Sequence, residues 1–343
     1  MQRLALGSLV SLTLAGAAGS TPGLAQGTTT TTAASQVHIE AAKKTAGTDY
    51  SYLFSRTCGQ LTPPPRTASA APSQPGPPPR ASWYTEPAKV FDNLYFVGQS
   101  EYSAWAVTTS AGIIIIDTIY DYSVEEEVVN GLKKLGLDPT QIKYAIVSHG
   151  HGDHSGGAKF LQDKFGARIV LTAEDWDLLE RTANRPNAQP VPKRDVVATD
   201  GMKLTLGDTT LTLYITPGHT LGTISTLIPV KDGGQTHLAA DWGGTAFNWT
   251  TGPANYITPD RPAKYWFDIY SKSAKRFRDI AAAAGADIII ANHTEFDGTK
   301  TKLPALAKRQ PGQKHPYVIG KEGVIQYMTV AEECALAGVA LQN

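Results

Sequence analysis

Between Ser148 and Gly157 the chain reads S-H-G-H-G-D-H-S-G-G, so His149, His151, Asp153 and His154 fall within six residues. Imidazole nitrogen and carboxylate oxygen are the donors zinc takes at about 2.0–2.2 Å. Four such side chains surround one small volume only if the backbone turns tightly between them. Gly150 and Gly152 permit that turn, because glycine has no Cβ to forbid positive φ. A metal held here would polarise a carbonyl and lower the pKa of a bound water to about 7, so hydrolysis is the chemistry implied. A histidine-rich solvent loop is the bland alternative. It accounts poorly for four ligand-type residues set between an apolar strand and the start of a helix.

The elements that must position this cluster alternate. Tyr144–Ser148 (YAIVS) reads as a buried strand leading into it, and Gly156–Phe165 as the helix leading out. Gly112–Asp117 (GIIIID) is a continuous β-branched run, the mark of a strand buried on both faces. Val90–Val97 and Ser103–Thr108 read as paired strands, Ser123–Leu135 as a helix capped by Ser123 and ended by Gly136, Ala167–Thr172 as a strand and Asp175–Arg181 as a helix. Met202–Leu206 and Thr209–Ile215 suggest one hairpin, and Ile224–Val230 with His237–Ala240 another. A long amphipathic helix, Pro262–Ala284, then precedes a last strand, Ile288–Ala291. This order predicts an α+β protein with two mixed sheets between outer helices, an αββα four-layer sandwich.

Thirty-one Lys plus Arg balance thirty-one Asp plus Glu, so the overall charge gives no pull toward a polyanion, local patches aside. Nucleic acid is therefore not an expected partner, and a small-molecule substrate and a monomer are. Arg3, the short apolar run Leu4–Ala18 and the small residues Gly23-Leu24-Ala25 predict a signal peptide over residues 1–25. The run is too short for the ~20 residues of a membrane span, so an exported protein (periplasmic or extracellular) without stable membrane association is expected. No later stretch reads as a span. Residues 26–82 read as a Thr/Ala- and Pro-rich extension with a short helix near Val37–Ala46, and 83–343 as the compact domain starting near Trp83. Cys58 and Cys334 form either one disulfide or two separate thiols.

H-x-H-x-D-H after a strand is the signature of the metallo-β-lactamase superfamily, which this chain resembles from about residue 88 to 300. GIIIIDT (Gly112–Thr118) is similar to that family's first motif, whose aspartate, here Asp117, supports the metal site from behind. Pro217-Gly218-His219-Thr220, with Gly222 after it, looks like its next motif, and His293 stands where the last histidine belongs. The resemblance implies two zinc ions, one on His149, His151 and His219 and one on Asp153, His154 and His293. It gives Asp153 the catalytic task of orienting the nucleophilic water. Histidine in the second site is most like the third subclass of true metallo-β-lactamases. Asp241 either bridges the metals, as in the lactonase and glyoxalase branches, or stands one position off. Trp242 replaces a serine of that subclass and Asn292 a proline, so Trp242 is expected in the substrate cleft and a weak or narrow lactamase profile with it. The alternatives are a lactonase, esterase or other small-molecule hydrolase, and a metal-binding protein without useful turnover. His38 and His315 are expected at the surface and His237 within the fold. Tyr256, Trp249 and Trp266 either line the cleft or pack a helix.

Overall fold

The structure, a computed structural model, describes residues 32–62 and 76–343. The expected signal peptide, residues 1–25, and the core of the proline-rich stretch lie outside the described residues.

The first sheet runs in chain order: β1 (Ala88–Lys89), β2 (Leu94–Phe96), β3 (Trp105–Thr109), β4 (Gly112–Ile116), β5 (Ile142–Ile146), β6 (Arg168–Leu171) and β7 (Val196–Val197). It is antiparallel up to β4 and parallel from there. The second comprises β8 (Met202–Leu206), β9 (Thr209–Ile215), β10 (Ile224–Asp232), β11 (Gln235–Trp242) and β12 (Ile288–Ala291), ordered β12-β11-β10-β9-β8, with only β11 and β12 parallel.

Side chains alternate along a strand, so a central strand feeds two cores at once. Ile114 and Ile116 of β4 meet Leu213, Ile228 and Ile290 between the sheets. Ile113 and Ile115 face outward, where helices cover them. Those helices are α3 (Asp121–Val124) and α4 (Asn130–Lys134), joined by a π-helical turn at Glu125–Val129, then α5 (Gly152–Ser155), α6 (Ala158–Phe165) and α7 (Ala173–Thr182). Beyond the second sheet follow α8 (Asn248–Thr251), α9 (Ala263–Ala284), α10 (Thr299–Ala307) and α11 (Gly320–Leu341). Phe267 and Phe277 of α9 and Val324 and Met328 of α11 pack on Trp242 and Ile289. Helix, sheet, sheet and helix are thus layered as the order of elements predicts.

Residues 32–62 pack on this body. Their helices α1 (Ala33–Ala46) and α2 (Ser51–Thr57) place Ala42, Ala46, Leu53, Cys58 and Leu61 in the same core as α9 and α11. A disulfide joins Cys58 to Cys334 of α11, 276 residues away. His38, expected at the surface, is half-buried and pairs with Glu333 of α11 at 2.7 Å. Helix α11 is long and apolar enough to cross a membrane, contrary to the sequence expectation, and more than half of it is buried against α1 and α9.

Glu127, in the π-helical turn, is buried and accepts the Thr85 amide at 3.0 Å. Burial pushes its carboxyl up to about 8, against the Thr85 bond and Arg80. A raised carboxyl pKa means the folded state holds a proton that the unfolded state loses. Its stabilising contribution is complete below the unfolded value near 4.3 and is lost as pH climbs toward 8. Glu127→Gln, which keeps the shape without the titration, is expected to flatten the stability profile between pH 5 and 8. It should be the more stable protein at pH 8 by about 1–3 kcal/mol. Urea unfolding at several pH values checks this; parallel profiles for the two proteins would refute it.

Candidate metal centre

The cluster sits where four strands end. β5 delivers Ser148-His149, β4 delivers Asp117, β12 is followed by Asn292-His293, and the turn between β9 and β10 carries His219. Glycine is required at two of these approaches. Gly218 has φ 151°, and a Cβ there would lie 2.7 Å from Tyr270. A Cβ on Gly244 would lie 2.4 Å from His219 Cβ and 2.7 Å from its ring Cγ.

Two groups of three donors emerge, each with ligand atoms within 4.8 Å of one another: His149, His151 and His219, and Asp153, His154 and His293. These are the six residues the sequence assigns. In the first group each ring is fixed through its far nitrogen. His149 Nδ1 donates to Gly243 O at 2.9 Å, which makes Nε2 the lone-pair nitrogen, and that buried Nε2 has no partner. His219 Nδ1 donates to Ala246 O at 2.7 Å. His151 Nε2 meets the Tyr256 hydroxyl at 2.8 Å, leaving its Nδ1 3.1 Å from His219 Nε2. Burial holds His149, His151 and His219 below the usual histidine range, His151 at about 4, so all three are neutral imidazoles. An unpartnered buried nitrogen beside two neutral rings, each anchored from behind, suits a metal ion and little else.

The second group is charged differently. His154 Nε2 lies 3.2 Å from both Asp153 Oδ2 and His293 Nε2, and its Nδ1 is 3.0 Å from Asp117 Oδ2. Burial would depress His154, but Asp153 and Asp117 outweigh it and hold the ring up to about 10. Burial likewise opposes ionisation of Asp153, and the surrounding His154, His293 and His151 reverse that, holding the carboxyl well below its usual range. Asp117 also accepts Ser148 N at 2.6 Å and Ser148 Oγ at 2.9 Å, and it occupies positive φ at 58°. It therefore ties His154 to the loop that carries His149, as expected of an aspartate behind the site.

The family whose sequence pattern matches, over residues 97–233, is described as the metallo-beta-lactamase superfamily. An N-acyl homoserine lactonase AttM of Azorhizobium caulinodans is 30% identical over 192 residues, 52% of this chain and 69% of that one. The chain belongs to the metallo-beta-lactamase superfamily. A hydroxyacylglutathione hydrolase of Acidiphilium cryptum is 31% identical over 87 residues, 25% of this chain, which spans only 31% of that relative's length. Among solved structures, BJP-1, a subclass B3 metallo-beta-lactamase of Bradyrhizobium japonicum, superposes with a TM-score of 0.61 at 29% identity, covering 72% of this chain and 91% of that one. Members of the superfamily bind metal, and the donor set here fits one.

Several sequence expectations need correction. Trp242 does not line the cleft. β11 runs to Trp242, two residues beyond the expected end, and its alternation turns the indole outward. There it is 1% exposed, donates to the Tyr270 hydroxyl at 3.1 Å and packs on Phe277. Asp241, its neighbour, points the other way and stands outside both donor groups. Burial and the nearby Asp117 and Asp297 raise its carboxyl well above the usual range. His315 is buried, stacked on Phe91 at 4.1 Å, and bonded to Val90 O at 2.8 Å. His237 pairs with Asp287 at 2.5 Å, away from the metal groups. Of the three aromatics, Tyr256 reaches His151, Trp266 of α9 packs on Tyr256 and lines a pocket with it and His151, and Trp249 packs on Trp266 and Phe267 of α9.

Two contributions were not read from the sequence. Asp175 of α7 is buried and accepts Gly150 N at 2.8 Å, Thr220 Oγ1 at 2.8 Å and Gly222 N at 3.2 Å, so one carboxylate clamps both ligand loops. Its only sequence signal is an acidic residue in a first helical turn. The other contribution comes from α2: Tyr52 and Arg56 line the cleft of about 300 Å³ that also holds His151, Asp153, His219 and His293.

Proposed function

We propose that the protein is an exported metallo-hydrolase that takes two zinc ions and opens the amide of a cyclic small molecule, a β-lactamase-like reaction. The place of Asp241 supports the lactam reading. The lactonase and glyoxalase branches use that aspartate to bridge their metals, and here it stands outside the six donors, as in the third lactamase subclass. The similarity to BJP-1 along most of that enzyme's length points the same way. With Trp242 in the core, its bulk no longer argues for a weak or narrow profile.

Zinc at the two groups would supply Lewis acidity toward a carbonyl oxygen and an acidified water. The chain's own residues do the rest. Gly243 O and Ala246 O keep His149 and His219 in the tautomers that present a lone pair inward, and the Tyr256 hydroxyl holds the His151 ring in place. Asp153, ionised in the cleft, is placed to orient a water. The Asn248 amide, 3.4 Å from His219 Nε2 and lining the cleft, offers a donor toward a carbonyl oxygen developing charge.

The zinc-loaded protein is expected to hydrolyse a chromogenic cephalosporin with a kcat/KM at least about tenfold above that for N-hexanoyl homoserine lactone. That is a difference of roughly 1.4 kcal/mol in transition-state binding. Activity should vanish on chelation and return with zinc. A tenfold preference for the lactone would favour the lactonase reading, which the AttM similarity motivates. Two bound zinc ions without turnover of either compound would leave a metal-binding protein.

A further inference from the structure

The N-terminal arm enters the metal cleft, and it is held there at several points. α2 buries Leu53, and Cys58, one residue past its end, is bonded to Cys334 of α11. The Tyr52 hydroxyl donates to the Glu295 carboxylate, and its ring packs on Phe296 at 6.0 Å, which in turn meets the ring of His293 at 5.6 Å. The arm is therefore coupled to a metal-ligating residue through one aromatic side chain.

Arg56 lies one turn beyond Tyr52 on the same side of α2 and lines the same cleft. Its charge is felt by Glu295 on the same rim, but the two form no ion pair. No carboxylate among the described residues lies within 4.0 Å of it, and residues 1–31 and 63–75 contain no Asp or Glu. The two acidic side chains on this rim are engaged elsewhere: Glu295 binds Tyr52 and Lys300, the latter at 2.5 Å, and Glu101 lies 3.9 Å from Lys300. The Gln60 amide, in the orientation that satisfies both its ends, accepts from Arg56 Nη1 at 3.1 Å and donates to Arg56 O at 3.1 Å, which steadies the guanidinium. A planar fork of donors held on the rim of a cleft whose floor carries metal ligands is suited to a carboxylate.

We propose that Arg56 is a specificity-determining residue that receives a carboxylate on the substrate, and that the Cys58–Cys334 disulfide keeps it over the cleft. The protein accordingly selects substrates with an anionic group displaced from the scissile bond. This rests on the reading of the cleft as a hydrolase site, but recognition can be measured without turnover.

The test uses zinc-loaded full-length protein and pairs of carboxylates, glutarate and adipate against butyrate, titrated calorimetrically. One carboxylate of each can occupy the metal floor, and only the diacids have a second for Arg56. Wild type is expected to bind the better diacid about fivefold more tightly than butyrate. Arg56→Ala should abolish that ratio and Arg56→Lys should keep part of it. Butyrate affinity, which needs only the metal floor, should change less than twofold in both. Cys58→Ser with Cys334→Ser should lose the ratio in the same way while Arg56 is intact. Mass spectrometry should then find rapid tryptic cleavage after Arg56, a bond protected in the wild type. A wild type with no diacid preference, an Arg56→Ala protein that keeps it, or a disulfide-free protein that keeps both preference and protection would each overturn the proposal. Failure of the wild type to hydrolyse any ester or lactam, with the diacid ratio intact, would instead sink the hydrolase reading and leave the carboxylate subsite standing.

Discussion

His149→Ala is expected to lower kcat/KM by about a thousandfold or more and to reduce bound zinc from two ions per chain to about one. The side chain is fully buried, its Nδ1 is committed to Gly243 O, and its Nε2 has no partner among the described residues. Alanine therefore removes a metal donor and nothing that another residue can replace. Residues that merely orient a ligand typically cost 10- to 100-fold. A ligand should cost more, because the Lewis acidity itself, several kcal/mol of transition-state stabilisation, goes with the ion. His237→Ala is the control. That ring pairs with Asp287 at the far end of β11, and its loss should change activity less than twofold. Elemental analysis and initial rates on one preparation check both. A His149→Ala protein that keeps two zinc ions and near-normal rates would show that the first donor group is misassigned.

Trp242→Ser is expected to destabilise the protein by about 3–5 kcal/mol and to bring no gain in lactam turnover. The indole is sealed between β11 and α9, packed on Phe277 and hydrogen-bonded to Tyr270. Serine there leaves a cavity, exposes nothing to the cleft and strands the Tyr270 end of a buried bond. Denaturant unfolding gives the first quantity and rates on a chromogenic cephalosporin give the second. A several-fold rise in lactam turnover at unchanged stability would mean that the side chain faces the metals after all. The two experiments are complementary: one removes a donor that packing hardly needs, the other a packing residue that the chemistry does not touch.

The parts of this protein legible in its sequence are those written in local pattern. His149, His151, Asp153 and His154 are recognisable as candidate donors because they fall within six residues, with Gly150 and Gly152 among them, after the apolar strand YAIV, and the resemblance adds His219 and His293. The layered fold is recognisable because doubly buried strands such as GIIII stand apart from the amphipathic period of α9. Trp242 was misread for a local reason with a distant cause. Proximity in sequence to Asp241 suggested proximity to the metals, yet successive residues of a strand point to opposite faces. Only the extent of β11 and its pairing with β12 decide which face is which. His315 was misread because nothing local says that Phe91, far back in the chain, will stack on it.

By itself the sequence pointed to the H-G-H-G-D-H cluster and the αββα layering, because short spacing of ligand-type side chains and hydrophobic periodicity are local patterns, while His219 and His293 were indicated by the family resemblance. Only the tertiary structure decided that Asp241 stands apart from the donors and that Asp175 clamps two loops. It alone brought an arm rich in Thr and Ala over the cleft with Arg56 at its rim. Those placements come from contacts between segments tens to hundreds of residues apart, such as the one sealed by Cys58 and Cys334, and no local pattern encodes which distant surface a buried side chain will meet.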